Sequence, residues 1–267
     1  MFGKKIIAGV LIAGVTSLWA TVGIAGSPHD LSGITWAGGT VANDDQDNGE
    51  LCVYCHTPHA ANTAFAGAPL WNKDSTLATA NNAFILYGAT AAGNVGSTIA
   101  GTVVGNTGGV VNAPSMACLS CHDGVSAVNS VVNAPGAGLS AGGNGLINDA
   151  AVTILDTWAS ANAVANLGAG TGTADLSNDH PISVEYLGDG SANSPASLRA
   201  TSYSLTGWSG ATTIGALLRT TGTTEYVECG SCHDPHNGVD TFVAGEQVHF
   251  LRVSNADSAL CIGCHAK

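Results

Sequence analysis

Eight cysteines occur in the 267 residues, and every one falls in a Cys-x-x-Cys-His motif. The four motifs are Cys52-Val53-Tyr54-Cys55-His56, Cys118-Leu119-Ser120-Cys121-His122, Cys229-Gly230-Ser231-Cys232-His233 and Cys261-Ile262-Gly263-Cys264-His265. Two thiols three positions apart reach the two vinyl groups of one porphyrin, and the adjacent imidazole then lies under its iron. Zinc sites do not need a histidine immediately after every second cysteine, and neither structural nor redox disulfides call for one. With nine histidines in the chain, four such adjacencies would arise by chance on the order of once in a million. The motifs therefore read as attachment sites for four c-type haems, with Cys52, Cys55, Cys118, Cys121, Cys229, Cys232, Cys261 and Cys264 as thioether positions. His56, His122, His233 and His265 are the proximal iron ligands.

Five histidines lie outside the motifs: His29, His59, His180, His236 and His249. Beyond Met1, Met116 is the only methionine, so methionine-ligated iron can occur at most once. Bis-histidine iron at most or all sites is expected, which favours low reduction potentials. Two motifs are extended, reading C-V-Y-C-H-T-P-H up to His59 and C-G-S-C-H-D-P-H up to His236. Upstream of each stands one more histidine, His29 and His180. The chain is thus a doubled unit of lone His, extended motif and plain motif, over roughly residues 26–125 and 175–267. A Gly/Ala-rich segment of low charge joins the two units. The ligand count closes with His29, His59, His180 and His236 as distal ligands, and without His249, which alternates with Leu251 and Val253 as an ordinary strand residue. Met116, two residues before Cys118, is expected to pack on a porphyrin face.

His59 cannot serve the iron that His56 holds, because the two axial ligands approach from opposite faces and three residues cannot wrap a porphyrin. The same holds for His236 and His233. Each short segment must then tie two irons together, its histidines about 5 to 10 Å apart.

At the amino terminus Lys4 and Lys5 precede an apolar run from Ile6 to Ala25, ending in small residues, which reads as an export signal over residues 1–25. Its length also approaches that of a membrane span, so an uncleaved anchor is the alternative. Residues 26–267 hold five basic residues (Lys73, Arg199, Arg219, Arg252 and Lys267) against all 19 acidic ones, a formal charge of −14. Nucleic acid is excluded as a partner on that balance, and basic proteins, metal ions or positively charged mineral surfaces are favoured. Charged residues make up only 10% of the chain and 36 residues are glycine, so regular structure is expected to be sparse. The fold expected is mostly irregular coil, with a few short helices and minimal strand wrapped around four haems. Helices are expected over Ser75–Tyr87, Asp149–Leu167 and from Ser254 into Cys261, with Ser115 capping a turn before Cys118. Short strands are expected over Pro181–Leu187 and His249–Val253.

These features resemble the extracellular multihaem c-type cytochromes of metal-reducing bacteria, and within them the OmcE-like tetrahaem subunits of cytochrome nanowires. The resemblance rests on the export signal, His29, both C-x-x-C-H-x-P-H motifs, the Asp179-His180-Pro181 segment, and the stretch from Phe250-Leu251-Arg252 to Cys264-His265. It implies a continuous bis-histidine haem stack in a homopolymeric filament, with one distal histidine supplied by the neighbouring subunit, and His29 is its candidate for that role. It implies an electron conduit rather than an enzyme, located outside the cell or at the outer-membrane surface, with periplasmic or outer-membrane redox proteins and acceptors such as metal oxides as partners. The alternatives are a soluble periplasmic shuttle and a multihaem oxidoreductase of small nitrogen or sulfur species. The latter needs an open iron, and the chain holds histidines enough to close all four.

Overall fold

In the computed structural model the described residues are 23–25, 27–31, 35–36, 39–40, 51–73, 111–122, 131–133, 176, 180–188, 197–237, 239–243 and 246–266. The expected helices over Ser75–Tyr87 and Asp149–Leu167, and the bulk of the export signal, lie outside them. Regular elements are short. In chain order they are β1 (Thr35–Trp36), β2 (Gly39–Thr40), α1 (Ala113–His122), β3 (Val184–Glu185), α2 (Ile214–Leu217), β4 (Arg219–Thr221), β5 (Thr224–Val227), α3 (Cys229–Cys232), β6 (Val239–Val243), β7 (Glu246–Leu251), a 3-10 turn (Ala256–Ser258) and α4 (Ala259–Cys264). Coil dominates among the described residues, as the glycine content and low charge imply.

Among the described residues the strands pair antiparallel in three small sheets: β1 with β2, β3–β5–β4, and β6 with β7. The β4–β5 hairpin turns on Gly222 and Thr223, with Thr221 paired to Thr224 and Gly222 at φ 64°. A positive φ at the first of two turn residues suits the twist of the flanking strands and favours glycine. Strand β5 then runs through Glu228 directly into the third motif.

Two apolar clusters support these elements. One gathers Phe65, Val111, Met116, Ala117, Leu119 and Leu176 around α1, with Trp71 packed against it. Met116 is thus buried in this cluster, beside the second motif. The other gathers Tyr186, Leu205, Ala211, Ile214, Leu217 and Leu218, with Trp208 and Cys264 at its edge.

Three local expectations are corrected. Ser115 lies inside the first turn of α1, and its hydroxyl donates to the Glu228 carboxylate instead of capping. The carboxy-terminal helix starts at Ala259, because Asp257 and Ser258 take left-handed backbone (φ 53° and 62°) and break a helix begun at Ser254. The strand expected over His249–Val253 ends at Leu251, and the one over Pro181–Leu187 contracts to two residues. Among the described residues no helix is long and apolar enough to cross a membrane.

Candidate haem sites

The second, third and fourth motifs lie in helix, and the first is a hydrogen-bonded turn of the same reach. The backbone N–H of the motif histidine donates to the carbonyl of the first cysteine at 2.8 Å for His56, 3.0 Å for His233 and 2.9 Å for His265. In the second motif the turn is the end of α1, which closes on His122. All eight thiols are unbridged, and among the described residues no three His, Cys, Asp or Glu groups converge to hold a free metal ion.

The histidines come together in pairs. His56 faces His236 with ring centroids 6.1 Å apart, His29 faces His122 at 6.2 Å, and His180 faces His265 at 6.5 Å. Two imidazoles on opposite faces of one iron, each bonded at about 2 Å through a nitrogen about 1.1 Å from its ring centre, have centroids about 6 Å apart. The three separations therefore fit one bis-histidine iron each. Two of the rings have a carbonyl beside Nδ1. The Nδ1 of His56 lies 2.7 Å from the Pro69 carbonyl, and that of His180 lies 2.9 Å from the Pro181 carbonyl. A carbonyl only accepts, so Nδ1 is the donor, and in the neutral tautomer this leaves the Nε2 lone pair for a metal. His29 is held by a stack on Phe250 at 4.4 Å and 14°.

We number the sites in motif order. Site 1 combines His56 with His236, site 2 combines His122 with His29, and site 4 combines His265 with His180. The lone upstream histidine of each sequence unit thus stands opposite the motif histidine of the plain motif in its own unit. The resemblance gives His29 to a neighbouring subunit, but here its ring faces His122 of the same chain. His236, at the end of the second extended motif, crosses to the first one. His59 is exposed, and among the described residues no ring stands against it. Its backbone carbonyl accepts from Thr57 Oγ1 at 3.1 Å and Asn133 Nδ2 at 2.7 Å. His249 lies on β7, and its side chain is outside the description.

The motifs lie beside one another. Burial first, then the neighbouring Cys121, pushes the Cys55 thiol up to about 12; burial and then Cys264 push Cys232 up to about 12. Cys118 and Cys229 are within hydrogen-bonding reach. Sites 1 and 2, 2 and 3, and 3 and 4 are thereby neighbours at their cysteines.

Sequence reading missed the polar joint between sites 2 and 3. Glu228, 1% exposed, accepts from Asn112 Nδ2 at 2.7 Å, Ser115 Oγ at 2.5 Å and Ser183 Oγ at 2.9 Å. Ser115 Oγ in turn accepts the Cys229 N–H at 3.0 Å. Burial pushes the Glu228 carboxyl up, and the three donors with Arg219 offset only part of that. Near site 3, Asp234 pairs with Arg252 at 3.4 Å and accepts from Ser209 Oγ and the His236 N–H. Burial alone would raise Asp234, but Ser209, the His236 and Asn237 N–H groups and Arg252 outweigh it and hold the carboxyl below its ordinary value.

Residues 223–267 match the doubled CXXCH motif family. That match spans the third and fourth motifs and indicates a multihaem c-type cytochrome-like region that binds c-type haem iron. No curated protein matches the chain.

Proposed function

We propose that the chain is a tetrahaem electron conduit that polymerises head to tail through His59, forming an extracellular filament. One observation carries this reading: His59 is exposed and faced by no ring among the described residues, while its repeat equivalent His236 stands opposite His56. The repeat supplies the rest. His236, closing the extended motif of the second unit, reaches the extended motif of the unit before it. By the same translation His59 reaches the extended motif of a preceding second unit, which is site 3 of another chain. A contact between two different surfaces, repeated without closure, generates an open filament. Leu70, 54% exposed, adds an apolar contact there, since its carbonyl accepts the N–H of Thr57 two residues before His59.

Bound c-type haem supplies a one-electron carrier at each site. The histidine pairs His56–His236, His29–His122 and His180–His265 would hold a haem iron from both sides at sites 1, 2 and 4, and closed coordination of that kind favours conduction over catalysis. Export by residues 1–25 and the acidic balance fit a role outside the cytoplasm, with basic redox proteins or metal oxides as partners.

The test is His59→Ala in the haem-loaded protein. Four attached haems with loss of high-mass assemblies is the expected result. Filaments that persist without His59 overturn the assignment, and discrete wild-type particles with every iron six-coordinate indicate a soluble shuttle.

A further inference from the structure

The same clasp recurs at three of the four motifs. At site 1 the Asn72 N–H donates to the carbonyl of the second cysteine, Cys55, at 2.8 Å. Its Nδ2 donates to the carbonyl of the first intervening residue, Val53, at 2.6 Å. At site 3 the Arg252 N–H donates to Cys232 at 2.8 Å, and its Nε donates to Gly230 at 2.7 Å. At site 4 the Arg199 N–H donates to Cys264 at 2.9 Å, and its Nε donates to Ile262 at 2.9 Å. A return bond completes each clasp: Thr57 to Leu70, Asp234 to Phe250, and Ala266 to Ser197. The clasping segment lies downstream of the motif at sites 1 and 3 but upstream at site 4, so chain direction does not explain the pattern.

A single helical or hydrogen-bonded turn leaves its last carbonyls without partners inside the turn. Two such carbonyls, those of the first intervening residue and the second cysteine, are what the clasp takes up. Their directions set the peptide planes between the two cysteines and the following histidine. We infer that Asn72, Arg199 and Arg252 are positioning residues of sites 1, 4 and 3, each fixing the shape of one Cys-x-x-Cys-His turn and so the orientation of its proximal imidazole. Asparagine and arginine share little except an N–H donor at the required place, and the donor is the conserved function across the three sites. Arg252 is also tied to Ser209 and Asp234, whereas Arg199 rests on the Tyr203 ring at 4.3 Å, which makes Arg199 the cleaner probe.

This inference rests on the haem reading of the motifs, and mass spectrometry of the loaded full-length chain tests that reading separately by counting attached haems. The inference itself is read by electron paramagnetic resonance of the ferric low-spin irons, whose anisotropy reports imidazole orientation. Arg199→Ala is expected to shift one of four signals, or to lose one of four haems, and Arg199→Gln to restore it, because the glutamine Nε2 occupies the place of the arginine Nε without the charge. Asn72→Asp, which keeps the shape and removes the donor, is expected to shift a different single signal. Four unchanged signals in Arg199→Ala overturn the inference. So does a collapse of all four signals that Arg199→Gln does not repair, which would mark a role in general stability.

Discussion

Glu228 and Asp234 are both carboxylates placed beside haem-attachment turns, yet their surroundings push them in opposite directions. Asp234 lies below its ordinary value of 3.8, so its contribution to stability is present above that pH and is lost as pH falls through the lower folded value. Glu228 lies above 4.5, so its contribution is complete below that pH and is lost as pH rises through the higher folded value. Denaturant unfolding should therefore show the penalty of Asp234→Asn shrinking on acidification. Glu228→Gln should gain on wild type as pH rises from 4.5 to neutrality. Glu228→Ala strands Asn112, Ser115 and Ser183 together and is expected to cost about 1–3 kcal/mol. A Glu228→Ala protein as stable as wild type would remove the joint from this account. None of this was legible in the sequence, where Glu228 is one acidic residue among 19 and its partners lie 45 to 116 positions away.

At the scale of elements, the attachment turns are held by contacts that tolerate little change. In α4, a Cβ at Gly263 would overlap the Trp208 indole. Gly263→Ala is expected to cost about 1–3 kcal/mol through overpacking, and to disturb site 4 before the others in a haem-by-haem spectrum; an unperturbed site 4 in this variant would contradict the packing described. The motifs could be read directly, because thioether and iron chemistry fix the spacing of residues in sequence, but the helix at Cys229–Cys232 carried no such signal. The clasps could be read only in part. Leu198-Arg199 and Leu251-Arg252 repeat a dipeptide, but Trp71-Asn72 does the same task without resembling it. Helix starts were misjudged where tertiary partners override local capping: Ser115 is drawn to Glu228, and left-handed backbone at Asp257 and Ser258 delays α4.

At the scale of the molecule, the count of histidines was legible and their pairing was not. Composition shows four spare distal candidates, but a ring pair such as His29 with His122 is a long-range contact that no spacing rule encodes. The pairing changes the expected behaviour of one variant. His29→Ala should keep four attached haems and its filaments while opening one axial position at site 2, seen as a high-spin iron that binds carbon monoxide. Loss of filaments in His29→Ala would return the bridging role to that residue. The central claim is that His59 of one chain completes site 3 of the next. Cryo-electron microscopy of the haem-loaded protein tests it most directly. The account predicts filaments in which the His59 imidazole caps the iron held by His233 of the adjacent subunit. Filaments in which a histidine of the same chain caps that iron, with His59 left in solvent, would contradict it.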